Sequence, residues 1–183
     1  ISYLCCIPNM IIYAPINEVA LQNILYTAQL GLSNPIAIRY PRGRGVTPNW
    51  QSNHLGHYTP IEIGKANCLK KGTKTAVLSN GSIGKNVTEA LRNLNHPETI
   101  SHYDFPFVKP LDEKELHLIM KEFESIITIE DGAIIGGFGS AILEFSAQNG
   151  YHTPIKTLGI PDDFIEQGTI LQQQQICKID VKS

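Results

Sequence analysis

The chain has 183 residues, 42% of them hydrophobic and 17% charged, with a net charge of −2 and a pI of about 6.3. A chain of this length buries roughly 70% of its unfolded surface, enough for a core without disulfide staples. The weakly acidic balance excludes the basic footprint of a nucleic-acid-binding protein, and no apolar run approaches the roughly 20 residues of a membrane span. Cys5, Cys6, Cys68 and Cys177 include an adjacent pair that cannot easily bridge itself and form no CxxC motif. They fit a reduced, cytoplasmic protein. The opening "ISYLCCIPNMIIYAP" lacks a basic start and is broken by Pro8, so it does not read as a signal peptide. It reads as the interior of a fold, and the chain is expected to be a piece of a longer protein.

In chain order, "MIIYAP" (10–15) is a short apolar run ended by a proline, a strand. In "NEVALQNILYTAQLGL" (17–32), Leu21, Ile24, Leu25 and Ala28 fall on one helical face. Asn17 suits the N-cap, Glu18 the first turn and Gly31 the stop. "NPIAIRYP" (34–41) reads as a buried strand, and strand, helix, strand makes a βαβ unit with parallel strands. Residues 42–60 are rich in Gly, Pro, Asn and Ser, without a period, and mark a boundary. The expected organisation is therefore a partial α/β unit at 1–45, a linker at 46–60 and a second domain at 61–183.

The second block alternates again. "IEIGKANCL" (61–69) suits an edge strand, and "TAVLS" (75–79) a strand. "NGSIG" (80–84) reads as a cap to a helix carrying Ile83, Val87, Ala90, Leu91 and Leu94. "TISHYDF" (99–105) is a strand, and the helix after it turns Leu116, Ile119, Met120 and Phe123 inward. "SIITIE" (125–130) is a strand, "DGAIIGGFG" (131–139) a loop, and "SAILEFSAQNG" (140–150) a helix stopped by Gly150. "PIKTLGIP" (154–161) is the last strand, before a C-terminal helix from about Thr169 with "QQQQ" (172–175) as a solvated face. This alternation predicts an α/β fold with a mostly parallel sheet and helices on both faces.

Few motifs carry chemistry. Arg42 lies just past the end of "IAIRY", where open α/β sheets place ligands. Its planar fork suits a phosphate, yet on local features alone a surface arginine is the simpler reading. Arg39, inside the strand, is expected to pair with a carboxylate. The glycine loop at 132–139 joins a strand to a helix start, but it matches neither GxGxxG nor a P-loop. A tight, close-packed turn is the simpler reading there. Glu130 and Asp131, adjacent in a strand, are expected to face opposite ways. His54 and His57 lack the further ligands that a metal site needs.

Taken together, "YLCCIPNMIIYAPINEVALQNILYTAQ", "PIAIRYPRG", "FVKPLD" (107–112), "ITIEDGAIIGGFGSAI" (127–142) and "LGIPDDFIEQG" (158–168) resemble the 1-deoxy-D-xylulose-5-phosphate synthases of the transketolase-like superfamily. The resemblance is colinear over nearly the whole chain. It departs at Glu166, where that family often has proline, and at Ser33–Asn34. It implies that residues 1–45 end a pyrimidine-binding domain and that 61–183 form a transketolase C-terminal-like three-layer αβα domain. It further implies a cytoplasmic homodimer that joins pyruvate to glyceraldehyde 3-phosphate with thiamine diphosphate and Mg²⁺. Arg42 of "YPRG" would bind the aldehyde's phosphate, with Tyr40 beside it. The resemblance places no catalytic, cofactor-binding or metal-binding residue in these 183 positions, because the family's Gly-Asp-Gly metal motif and its activating glutamate have no counterpart here.

Two alternatives stay open on the sequence. One is another transketolase-like enzyme, such as transketolase or a pyruvate dehydrogenase β subunit, against which "YPRG" and "LGIPDDFIEQG" argue. The other is a non-catalytic dimerisation or regulatory domain. A truncated first unit would also leave an open sheet edge and an apolar face, so residues 1–45 are expected to be poorly ordered by themselves. Thiamine chemistry requires a held and activated cofactor, so the 183 residues alone are expected to show no synthase activity. Product formed by them from pyruvate and glyceraldehyde 3-phosphate would overturn that expectation.

Overall fold

The computed structural model describes residues 1–43, 45 and 56–183. Arg44, His54 and most of the expected linker lie outside the described residues. After a single helical turn, α1 (Ser2–Cys5), the expected βαβ unit forms as β1 (Ile11–Tyr13), α2 (Glu18–Gln29) and β2 (Ile36–Ile38), with β1 and β2 parallel. Asn17 Oδ1 accepts from the Ala20 amide at 2.9 Å, and Gly31 ends the helix at φ +102°. The buried face differs from the expected one. Ile24 and Thr27 are buried, while Leu25 is exposed. Thr27 turns inward because its hydroxyl donates to the Asn23 carbonyl and accepts from the Ile61 amide. β2 is only half-buried.

The second block is built on β3 (Asn67–Lys70), β4 (Thr75–Asn80), α3 (Gly84–Arg92), β5 (Ile100–Asp104), β6 (Phe107–Lys109), α4 (Glu113–Glu122), β7 (Ser125–Ala133), α5 (Phe138–Gln148), β8 (Ile155–Ile160) and α6 (Ile170–Ile176). Five strands form a sheet in the order β3-β5-β4-β7-β8. β5, β4, β7 and β8 are parallel, and β3 is the antiparallel edge. Alternation of side chains along β4 sends Ala76 and Leu78 into one core and Val77 into another. The first core takes Leu116, Ile119 and Met120 of α4 with Ile142 and Phe145 of α5, and the second takes Val87 and Leu91 of α3. The result is the expected α/β arrangement with helices on both faces of a mostly parallel sheet.

Several local expectations change. Leu94 lies beyond the end of α3 and is exposed. Asn80 does not cap. It is buried, and its amide donates to the Phe105 carbonyl at 2.7 Å. β7 runs through Gly132 and Ala133, which were expected in a loop, because Ala133 pairs with Ile160. In α6, Thr169 and Gln172 form a capping box, and Gln174 accepts from Asn86, so the glutamine face is partly packed.

The largest departure is β6, which joins neither neighbour in sequence. It pairs antiparallel with β1 and makes a separate sheet, β2-β1-β6. Ile12 and Val108 enter the large core, whereas Ile11, Tyr13 and Phe107 form a third cluster with Ile24. Ile61 and Ile63, expected in the edge strand, pack against that third cluster instead. One edge of the βαβ unit is thus covered by β6.

At this seam Asp104 is buried, with its Oδ1 lacking a hydrogen-bond partner among the described residues. Burial pushes its carboxyl up to about 7, a hydrogen bond from Asn67 opposing the shift. The unfolded chain releases that proton near the ordinary value of 3.8, so the folded state binds more protons between about 4 and 7. Stability therefore falls as pH rises through that window, and the cost is fully present above 7. Asp104→Asn should raise Tm by several degrees at pH 8, by less at pH 5, and should flatten the slope between them, as thermal unfolding across pH would measure.

Candidate functional site

Both sheets bring their strand ends to one place. β1 ends at Tyr13, Ala14 and Pro15 follow, and Gly81 after β4 sits so close that a Cβ there would lie 3.2 Å from Ala14 Cβ. Gly81 adopts φ +80°, which glycine tolerates without strain. The contact continues at Gly84, where a Cβ would lie 2.9 Å from Ile16 Cδ1 and 2.7 Å from Ser79 Oγ. The first turn of α3 is therefore pressed against the start of α2.

A cleft of about 360 Å³ opens at this junction. Its polar wall is Asn17, Glu18, Tyr40, Arg42, Ser82 and Lys85. Arg42 is exposed, and its guanidinium has no hydrogen-bond or ion-pair partner among the described residues. Tyr40 is 64% exposed and lines the same cleft. The structure thus sets both sequence-predicted residues at a concave site at the carboxyl ends of parallel strands, a place where α/β folds bind ligands. Lys85 is half-buried, so burial pulls its ammonium below the ordinary value, while the Glu18 carboxylate pulls it up. Sequence reasoning passed over Ser82 and Lys85, because only the packing of α3 on α2 brings them to the cleft.

The glycine loop is occupied from within. Glu130 is buried, and its carboxylate accepts from the Phe138 and Gly139 amides, each at 2.9 Å, at the start of α5. Burial raises its pKa, and the two amide bonds and the Arg39 charge work against that rise. A Cβ on Gly137 would lie 2.3 Å from Glu130 Oε2, so the carboxylate fills the cradle. Asp131, the next residue, is half-buried. Arg39 was expected to bond a carboxylate. Its Nη2 instead donates to the Asp131 main-chain carbonyl, and its charge still acts on Glu130.

One buried pair was not foreseen. His102 Nε2 lies 2.8 Å from Ser79 Oγ, and its Nδ1 lies 3.4 Å from Thr88 Oγ1. Burial pushes the imidazole down to about 4, so it is neutral near pH 7. Two hydroxyls flank it and no carboxylate among the described residues orients it, which makes it a satisfied core histidine rather than a nucleophile's base. His57 accepts at its main-chain carbonyl from Gln22 Nε2 at 3.1 Å.

Residues 64–183 match the family "Transketolase, C-terminal domain". Over the whole chain, a 1-deoxy-D-xylulose-5-phosphate synthase of Cytophaga hutchinsonii is 45% identical, and the chain covers 28% of its length. Proteins of the same name from Bacteroides fragilis and Vibrio vulnificus are 46% and 41% identical over 98% and 100% of the chain. The chain thus spans less than a third of the length of these relatives. Among solved structures, a split-gene transketolase described as an inactive β4 tetramer superposes with a TM-score of 0.82 at 21% identity, over 99% of this chain and 57% of that one. A transketolase from Campylobacter jejuni superposes with a TM-score of 0.64 at 17% identity, over 99% of this chain and 26% of that one. These two likenesses speak for the fold, and the match over residues 64–183 assigns the chain to the transketolase C-terminal domain family.

Proposed function

We propose that the chain is a C-terminal segment of a 1-deoxy-D-xylulose-5-phosphate synthase, a transferase that condenses pyruvate with glyceraldehyde 3-phosphate and releases CO2. The observation that carries this reading is identity of 41–46% to synthases over 98–100% of the chain. Residues 1–45 would end the pyrimidine-binding domain, 46–60 link it onward, and 61–183 form the C-terminal domain. The whole enzyme would be a cytoplasmic homodimer supplying isoprenoid, thiamine and pyridoxal synthesis. Among the described residues no helix is long and apolar enough to cross a membrane.

Thiamine diphosphate and Mg²⁺ belong to this reaction, and the described residues do not fit them. The glycine loop at the start of α5 is filled by Glu130, and among the described residues no three His, Cys, Asp or Glu side chains converge as a metal site. The cofactor would be held by the remainder of the longer enzyme. This segment would contribute recognition of the acceptor. A phosphate monoester carries about −1.5 to −2 at pH 7, and the Arg42 guanidinium, open to the cleft, offers paired donors to it. Tyr40 would shape the same mouth.

Losing a charged hydrogen bond to phosphate costs about 1.5–3 kcal/mol, or roughly 10- to 150-fold in affinity. In the complete enzyme, Arg42→Ala should therefore raise KM for glyceraldehyde 3-phosphate by that factor and leave KM for pyruvate nearly unchanged. Steady-state kinetics with each substrate varied in turn would measure this, and equal effects on both would sink the phosphate-binding role.

A further inference from the structure

The Arg42 cleft holds a second cation that the reading above leaves unused. Lys85 stands in the first turn of α3, on the five-stranded side of the molecule, whereas Arg42 follows β2 of the three-stranded sheet. Both line one cleft, with the Ser82 hydroxyl beside Lys85. Lys85 is delivered there by close packing, since Gly84 leaves room for Ile16 and Ser79 and nothing larger than a hydrogen fits between them. Gly45 makes a matching approach on the other wall, where a Cβ would lie 2.3 Å from Glu18 Oε1.

The charges in the cleft are unbalanced. Arg42 and Lys85 face a single carboxylate, Glu18, among the lining residues. Burial pulls the Lys85 ammonium below its ordinary value, and the Glu18 carboxylate works against that pull. A monoester phosphate bears close to two negative charges at neutral pH, more than one guanidinium neutralises. Its three free oxygens can be divided between a planar fork and a compact ammonium, the two cations differing in the geometry they serve.

We infer that Lys85 is the second cation of the phosphate site, so that Arg42 from one sheet and Lys85 from the other grip a single phosphate group across the seam. This rests on the phosphate reading of Arg42. Lys85 is a binding residue here and takes no part in bond making. A ligand so held would also tie the two sheets together, and its binding would add to their joint stability by mass action.

The test uses the complete enzyme with Lys85→Met, which keeps the apolar stem, and Lys85→Arg, which keeps the charge. KM for glyceraldehyde 3-phosphate, KM for pyruvate and the inhibition constant of inorganic phosphate against the aldehyde are measured for each. Lys85→Met should raise the first and third by about 10-fold or more and leave the second unchanged, and Lys85→Arg should restore most of the loss. If Arg42→Ala weakens both phosphate readouts and Lys85→Met weakens neither, the two-cation grip is wrong and the Arg42 reading survives. If neither variant weakens them, both readings fall. Equal loss of pyruvate affinity in Lys85→Met, or the absence of rescue by Lys85→Arg, would make Lys85 a structural residue and also overturn the inference.

Discussion

The pairing of β1 with β6 is the constraint on which the rest of the molecule depends. Each strand is only three residues long, and its side chains alternate between two cores. Ile12 and Val108 belong to the core under the five-stranded sheet, while Tyr13 and Phe107 meet edge-on at 4.8 Å in the other. Full burial of such a side chain is worth about 1.5–3 kcal/mol, against about 0.5–1.5 kcal/mol net for a backbone hydrogen bond. So short a ladder is held by its side chains more than by its amides. Because β1 serves both cores, the ends of both parallel arrays are fixed beside each other, and the cleft follows from that placement.

Polar groups at the seam divide into satisfied and unsatisfied ones, and that division separates structure from function. Glu130 accepts two amide hydrogen bonds at the start of α5 and acts there as an internal anion, an arrangement worth up to about 2 kcal/mol when partly buried. Lys109 reaches the Cys5 and Ile7 carbonyls and secures the N-terminal turn. Asp104 is a buried carboxyl with one oxygen left unpaired among the described residues, as are Asn80 Oδ1 and Thr128 Oγ1. Arg42 differs from all of these, since its charge faces open space in a concave site. A strong donor group without a partner among the described residues is what a ligand would use.

Much of this was legible in the sequence, for local reasons. Asn17, Gly31 and Gly150 act where capping chemistry put them, and the apolar stripe Leu116, Ile119, Met120 and Phe123 is buried as its spacing required. The glycine loop was rightly read as a packed turn. What escaped was set by tertiary contact. β6 is too short to show a period, and its partner lies far upstream in the chain. Leu25 and Thr27 exchanged roles because the Ile61 amide needed an acceptor. Arg42 and Tyr40 stood out through their motif, whereas Lys85 sits in an ordinary helical turn that only the fold carries to the cleft.

Native-state hydrogen exchange tests the shared core most directly. The Ala14 amide donates to the Pro106 carbonyl at 2.7 Å, immediately beyond the β1–β6 ladder, and Leu78 and Thr128 lie on the central strands β4 and β7. If the two sheets form one cooperative unit, the Ala14, Leu78 and Thr128 amides should exchange with the same free energy of opening. Exchange of Ala14 through a lower-energy opening, with Leu78 and Thr128 still protected, would contradict a seam that holds both sheets and the cleft between them.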